Sequence, residues 1–202
     1  MIIVYLNLYM KPMVQPVSLS TFRIMKKLTS LIIFVGLAIN VSGQEAPNSL
    51  KEAMDAAKTH WMMGDWERKR SNGDTEILSY KWAVKDNVVS VQTKRDGEIN
   101  SQGLIGLDLE SNKVVGKMMG KRAGMSSEWL MIEDKLFEKI EGSMKLANGQ
   151  IQSFSVYRHH RQIDKDTMEA SMRKINDDGS AGEVIVASNG NKMIQKFVRK
   201  KS

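Results

Sequence analysis

The chain has 202 residues, is 42% hydrophobic, carries a formal net charge of +7 and contains no cysteine. That length fits one domain, at most with a small second one. The missing cysteine excludes a disulfide framework, thiol chemistry and a lipid-modified cysteine.

Residues 1–43 read as an upstream extension followed by an export signal. Met25-Lys26-Lys27 is a short basic start, and Leu28 to Ile39 is an apolar run of 12 residues. Asn40-Val41-Ser42-Gly43 supplies small residues for cleavage near Gly43. The run is too short to span a bilayer, which takes about 20 residues. Residues 1–24 contain Pro12 and Pro16 and fit such a signal poorly, which points to Met25 as the true start. The expected protein is therefore secreted or periplasmic, with no membrane span after cleavage. Cleavage removes Lys11, Arg23, Lys26 and Lys27 and no acid, taking the net charge from +7 to +3. No basic helix or aromatic-basic motif remains, so nucleic acid is not an expected partner. Arg199-Lys200-Lys201 reads as a frayed, solvated end.

Residues 44–202 form the expected domain, long enough to bury a core without disulfides. Ser49 with Glu52 makes a capping box. Leu50, Met54, Ala57 and Trp61 recur at helical spacing, which predicts an amphipathic helix over 49–61. Beyond Gly64 the period changes. Runs of about eight to twelve residues alternate with turn signals such as Lys85-Asp86-Asn87, Asp96-Gly97, Glu133-Asp134 and Asn148-Gly149. Leu78, Tyr80, Trp82 and Val84 alternate with more polar neighbours, as do Leu136, Ile140 and Met144, and later Met168, Ala170 and Met172. Nine or ten strands are expected, with no helix between them for parallel crossovers. Many consecutive antiparallel strands must remove their edges, and closure does so. The expected fold is all-β: an antiparallel up-and-down barrel of 8–10 strands with a short N-terminal helix. A two-sheet sandwich is the alternative, but Greek-key crossings need longer connections than most of these turns. Residues 176–191 are expected to hold a flap or bent strand before a last strand over 192–200.

Adjacent strand residues face opposite sides, so His159 and His160 cannot chelate one ion together. Phe154, Val156, Arg158 and His160 share the inward parity; Tyr157, His159 and Arg161 face out. Glu138 shares the parity of Leu136 and Ile140 and points inward. Arg158 and His160 are then polar groups orienting a ligand in an apolar pocket, or part of a polar barrel mouth. With Glu138 they make a salt bridge or an acid/base pair. No nucleophile motif accompanies them, so no catalytic residue is assigned. Ligand spacings for zinc or thioether copper are missing, and no metal or cofactor is expected. Eleven of the fifteen methionines follow residue 43; they suit either an adaptable lipophilic pocket or plain core filling. Nothing in the sequence bears on oligomeric state.

Met63-Gly64-Asp65-Trp66, at the first strand, resembles the Gly-x-Trp signature of the lipocalin-like calycin superfamily. Tyr80-Lys81-Trp82, the run Gly103-Leu104-Ile105-Gly106-Leu107-Asp108, and Gly124 with Trp129 follow in the order seen in secreted bacterial lipocalin-like domains of unknown function, to which the layout is similar. The likeness covers roughly residues 50–175; Leu107 stands where an aromatic is common, and the last 25 residues match nothing in the pattern. Gly64 lets the chain bend and Trp66 plugs the barrel floor, so both are structural. Some barrel relatives hold haem through a histidine, but haem at His160 is not expected. The first functional reading is a secreted binding module for a small apolar or amphipathic ligand, with Tyr80, Trp82, Trp129 and the methionines as walls and Glu138, Arg158 and His160 as polar contacts. A barrel filled by its own side chains, serving as a structural or interaction protein of the cell envelope, is the competing reading; an enzyme using the cavity's polar residues is the third.

Overall fold

The turn chemistry and the two-residue alternation give eleven strands in the computed structural model, which describes residues 46–201. The expected signal segment, the cleavage near Gly43 and the start at Met25 lie outside the described residues. The strands are β1 Gly64–Lys69, β2 Thr75–Val84, β3 Val88–Arg95, β4 Glu98–Asp108, β5 Lys113–Gly120, β6 Ala123–Ile132, β7 Lys135–Lys145, β8 Ile151–Asp164, β9 Thr167–Ile175, β10 Ala181–Val184 and β11 Ile194–Arg199. Successive strands from β1 to β9 pair antiparallel, β9 pairs with β11, and β11 returns to β1. The result is a closed up-and-down barrel of ten strands, as expected, and not a sandwich. The turns explain the registers: Asp96 and Gly97 adopt φ of 49° and 86°, the left-handed pair that a two-residue hairpin requires.

The eleventh strand does not add a position to the ring. β10 pairs with β9 at Ile175 and Arg173, and β11 continues along the same side of β9 from Ser171 to Thr167. Ile185 N donates to Met172 O at 2.9 Å and Met193 N to Ile185 O at 2.8 Å, so the path resumes where it broke off. Between them residues 186–192 loop out as a small hairpin, bridged at Val186 and Lys192. The expected flap is thus a short strand plus this hairpin, and the last strand is shorter than 192–200.

The expected single helix over 49–61 is also divided. Helix α1 covers Leu50–Ala56, with the Ser49 hydroxyl accepting from Glu52 N at 3.2 Å and Glu52 Oε2 accepting from Asn48 N at 2.8 Å. Lys58 at φ 53° breaks the ladder, and a 3-10 turn, His60–Met62, follows. The break turns Met62 and Trp61 back onto the barrel end, where Met62 is buried and Trp61 packs against the core. Lys51 N donates to Asp86 O at 2.9 Å, tying α1 to the β2–β3 turn.

Trp66 is fully buried, and its Nε1 donates to Met62 O at 2.8 Å. The Arg199 guanidinium lies 4.2 Å from the Trp66 ring centre and donates to Met63 O and Trp61 O, each at 2.9 Å. Lys200 N donates to Asp65 O at 2.8 Å. This corrects the reading of Arg199-Lys200-Lys201 as a solvated tail: barrel closure brings the C-terminal strand beside β1, where an aromatic face and two helix-turn carbonyls await a fork of donors. Gly64 is fixed by the same arrangement, since it adopts φ 117° and a Cβ there would stand 2.8 Å from Arg199 Nη1. Arg199→Ala is expected to destabilise by about 2–4 kcal/mol, from lost cation–π contact and charge-assisted bonds. Arg199→Lys recovers little of it, because an ammonium cannot fork or stack; urea midpoints of both variants check this.

Candidate functional site

Cross-strand pairing assembles the barrel's polar interior in rows. Trp129 on β6 stands opposite Glu138 on β7, and Glu138 opposite Arg158 on β8. One row nearer the helix end, Leu136 pairs with His160. Glu138 and His160 are buried, and Arg158 nearly so. Arg158 Nε lies 3.0 Å from Glu138 Oε2, close enough for an ion pair but not aligned for a hydrogen bond. His160 Nε2 lies 3.2 Å from the same oxygen, and the His160 ring stacks on Trp129 with centroids 4.9 Å apart.

Burial alone would raise the Glu138 carboxyl; the Arg158 guanidinium, helped by His160 and more weakly by Ser127, outweighs it and holds the carboxyl below its ordinary range. Burial pushes His160 below its ordinary value, against the pull of Glu138. Glu138 is therefore ionised and His160 neutral near pH 7. A neutral imidazole facing a carboxylate carries its proton on Nε2, which leaves Nδ1 as an acceptor. Among the described residues, His160 Nδ1, Trp129 Nε1 and Arg158 Nε are buried without a hydrogen-bond partner.

Above this cluster, under α1 and the 3-10 turn, lies a pocket of about 320 Å³. Leu50, Ala53, Met54 and Ala57 roof it, and Tyr80, Val89, Ile105, Val114, Trp129 and Leu136 form its barrel wall. Lys113 and Glu128, paired at 3.0 Å, stand at its rim. Four methionines, Met54, Met62, Met63 and Met131, line it, while Met168 fills the core.

Tyr80 and Trp129 are thus in the pocket wall, with Glu138, Arg158 and His160 in the layer that Trp129 covers. Trp82 is not in the wall. It sits one row further along β2, opposite Val89, and packs half-buried against the core. Gly64 and Trp66 lie at the barrel end that the 3-10 turn covers, where Trp66 Nε1 donates to Met62 O. The roof of the pocket was missed in the sequence because its stripe, Leu50-Met54-Ala57, reads equally well as a core-facing helix surface. Tyr157, expected to face out, does so by register but is buried, donating to Gly179 O at 3.0 Å and packing edge-on to Phe137.

Among the described residues no group of three His, Cys, Asp or Glu side chains is placed to hold a metal ion, and no helix is long and apolar enough to cross a membrane. Compared with protein-family models, curated proteins and solved structures, the chain matches none.

Proposed function

We propose that this protein is an exported, lipocalin-like barrel that holds a small apolar or amphipathic molecule in the pocket beneath α1. The pocket itself carries the reading. Its volume of about 320 Å³ falls within the roughly 300–1,000 Å³ of small-molecule sites, and its apolar walls with a few polar groups at one end match their usual make-up. The filled-barrel reading is supported only outside the pocket, where Trp66, Ile140 and Met168 are fully buried. The enzyme reading gains less: Glu138, Arg158 and His160 are within reach of one another, but none of them lines the pocket.

Native mass spectrometry of the protein purified from its own envelope fraction tests the proposal. A reproducible small-molecule adduct, released by denaturation, is expected. Its consistent absence, together with no binding of lipophilic dyes, overturns the reading.

A further inference from the structure

The inner end of the pocket is more specific than a general lipophile site requires. Tyr80 is 3% exposed and forms part of the pocket wall. The charged groups acting on its hydroxyl are Arg158 and Glu138, of opposite sign. Trp129, in the same wall, keeps a buried Nε1 that among the described residues has no hydrogen-bond partner. A buried polar group without a partner carries its full desolvation penalty, so this wall gains by meeting an oxygen on the ligand.

The sign of that oxygen follows from the charges behind it. Glu138 and Arg158 compensate each other at 3.0 Å, and His160 adds no charge. The rim is balanced too, by Lys113 and Glu128. Among the described residues that line the pocket, Lys113 is the one cation, and it is already paired with Glu128. A carboxylate drawn into it would lose its hydration without an unpaired cation to replace it. An uncharged hydroxyl would lose far less and can both donate to and accept from the Tyr80 hydroxyl.

We propose that the pocket selects apolar molecules bearing one uncharged oxygen function, a hydroxyl foremost, set against Tyr80, and discriminates against carboxylates of the same chain length. The inference rests on the ligand-binding reading above. It is tested by displacing N-phenyl-1-naphthylamine with 1-decanol or decanoate at pH 8, in the wild-type protein and in Tyr80→Phe. In the wild type, 1-decanol is expected to displace the dye at about tenfold lower concentration than decanoate. Tyr80→Phe should raise the 1-decanol concentration, taken relative to that of decanoate in the same protein, roughly three- to tenfold, the worth of one hydrogen bond.

Equal displacement by decanoate, or no change for 1-decanol relative to decanoate in Tyr80→Phe, overturns the selectivity while leaving the ligand-binding reading intact. Failure of both dye and 1-decanol to bind overturns both. A wild-type measurement stands apart from the variant's folding. Nuclear Overhauser contacts should join the C1 methylene of bound 1-decanol to the Tyr80 ring; contacts from the terminal methyl instead overturn the proposal.

Discussion

Glu138→Leu is expected to destabilise the protein by roughly 3–5 kcal/mol, because it strands the Arg158 guanidinium in the barrel without its counter-charge. The double variant Glu138→Leu with Arg158→Met should recover most of that loss, since two apolar side chains of similar size avoid both desolvation costs. Chemical denaturation of the three proteins measures the coupling. The same cluster gives the protein an acid-sensitive core. Glu138 and His160 both titrate below their ordinary values in the fold, so the unfolded chain binds more protons than the native one as pH falls. The His160 contribution is complete above its ordinary value of 6.5 and erodes below it. The Glu138 contribution is complete above 4.5 and erodes below that. His159 shares part of the first window, lowered by its partial burial and then by Arg173. His160→Gln keeps a donor for Glu138 and should flatten the fall in urea midpoint between pH 6.5 and 5.

Trp66→Ala is expected to cost about 3–5 kcal/mol, the usual range for deleting a large buried aromatic. The ring is fully buried, anchors Met62 O through Nε1 and is the surface on which Arg199 stacks. Trp82→Ala, removing a half-buried ring on β2, should cost less than half as much. Equal losses at the two positions would mean that Trp66 does not anchor the 3-10 turn and Arg199 as described.

The barrel was legible because its local signals agree. Asp-Gly and Asn-Gly pairs mark the turns, and the two-residue period between them sets which side chains face in. That is why Tyr80, Glu138, Arg158 and His160 are inward, as their parity implied. What the sequence did not disclose depends on closure. Arg199 meets the carbonyl of Met63 across 136 residues, and no local pattern encodes that meeting. The break at Lys58 belongs to the same class: its left-handed backbone is set by Met62 and Trp61 docking on the barrel, against a helical stripe that runs on through Trp61. The pocket roof exists only once α1 is docked, so Leu50, Met54 and Ala57 read as the apolar stripe of an ordinary amphipathic helix. Trp82 failed as a wall because alternation gives the face of a strand but not which row a pocket reaches.

The pocket under α1 is the centre of this account, and filling it is the most direct test. Ala53 faces it from the helix, and Ala53→Trp should occupy the space while leaving the strand sequences unchanged. N-phenyl-1-naphthylamine fluorescence, titrated against the wild type and Ala53→Trp, should rise and saturate with the first. It should stay flat with the second, at closely similar melting temperatures. Equal binding by both proteins, or by neither, would contradict the assignment of this pocket as the ligand site.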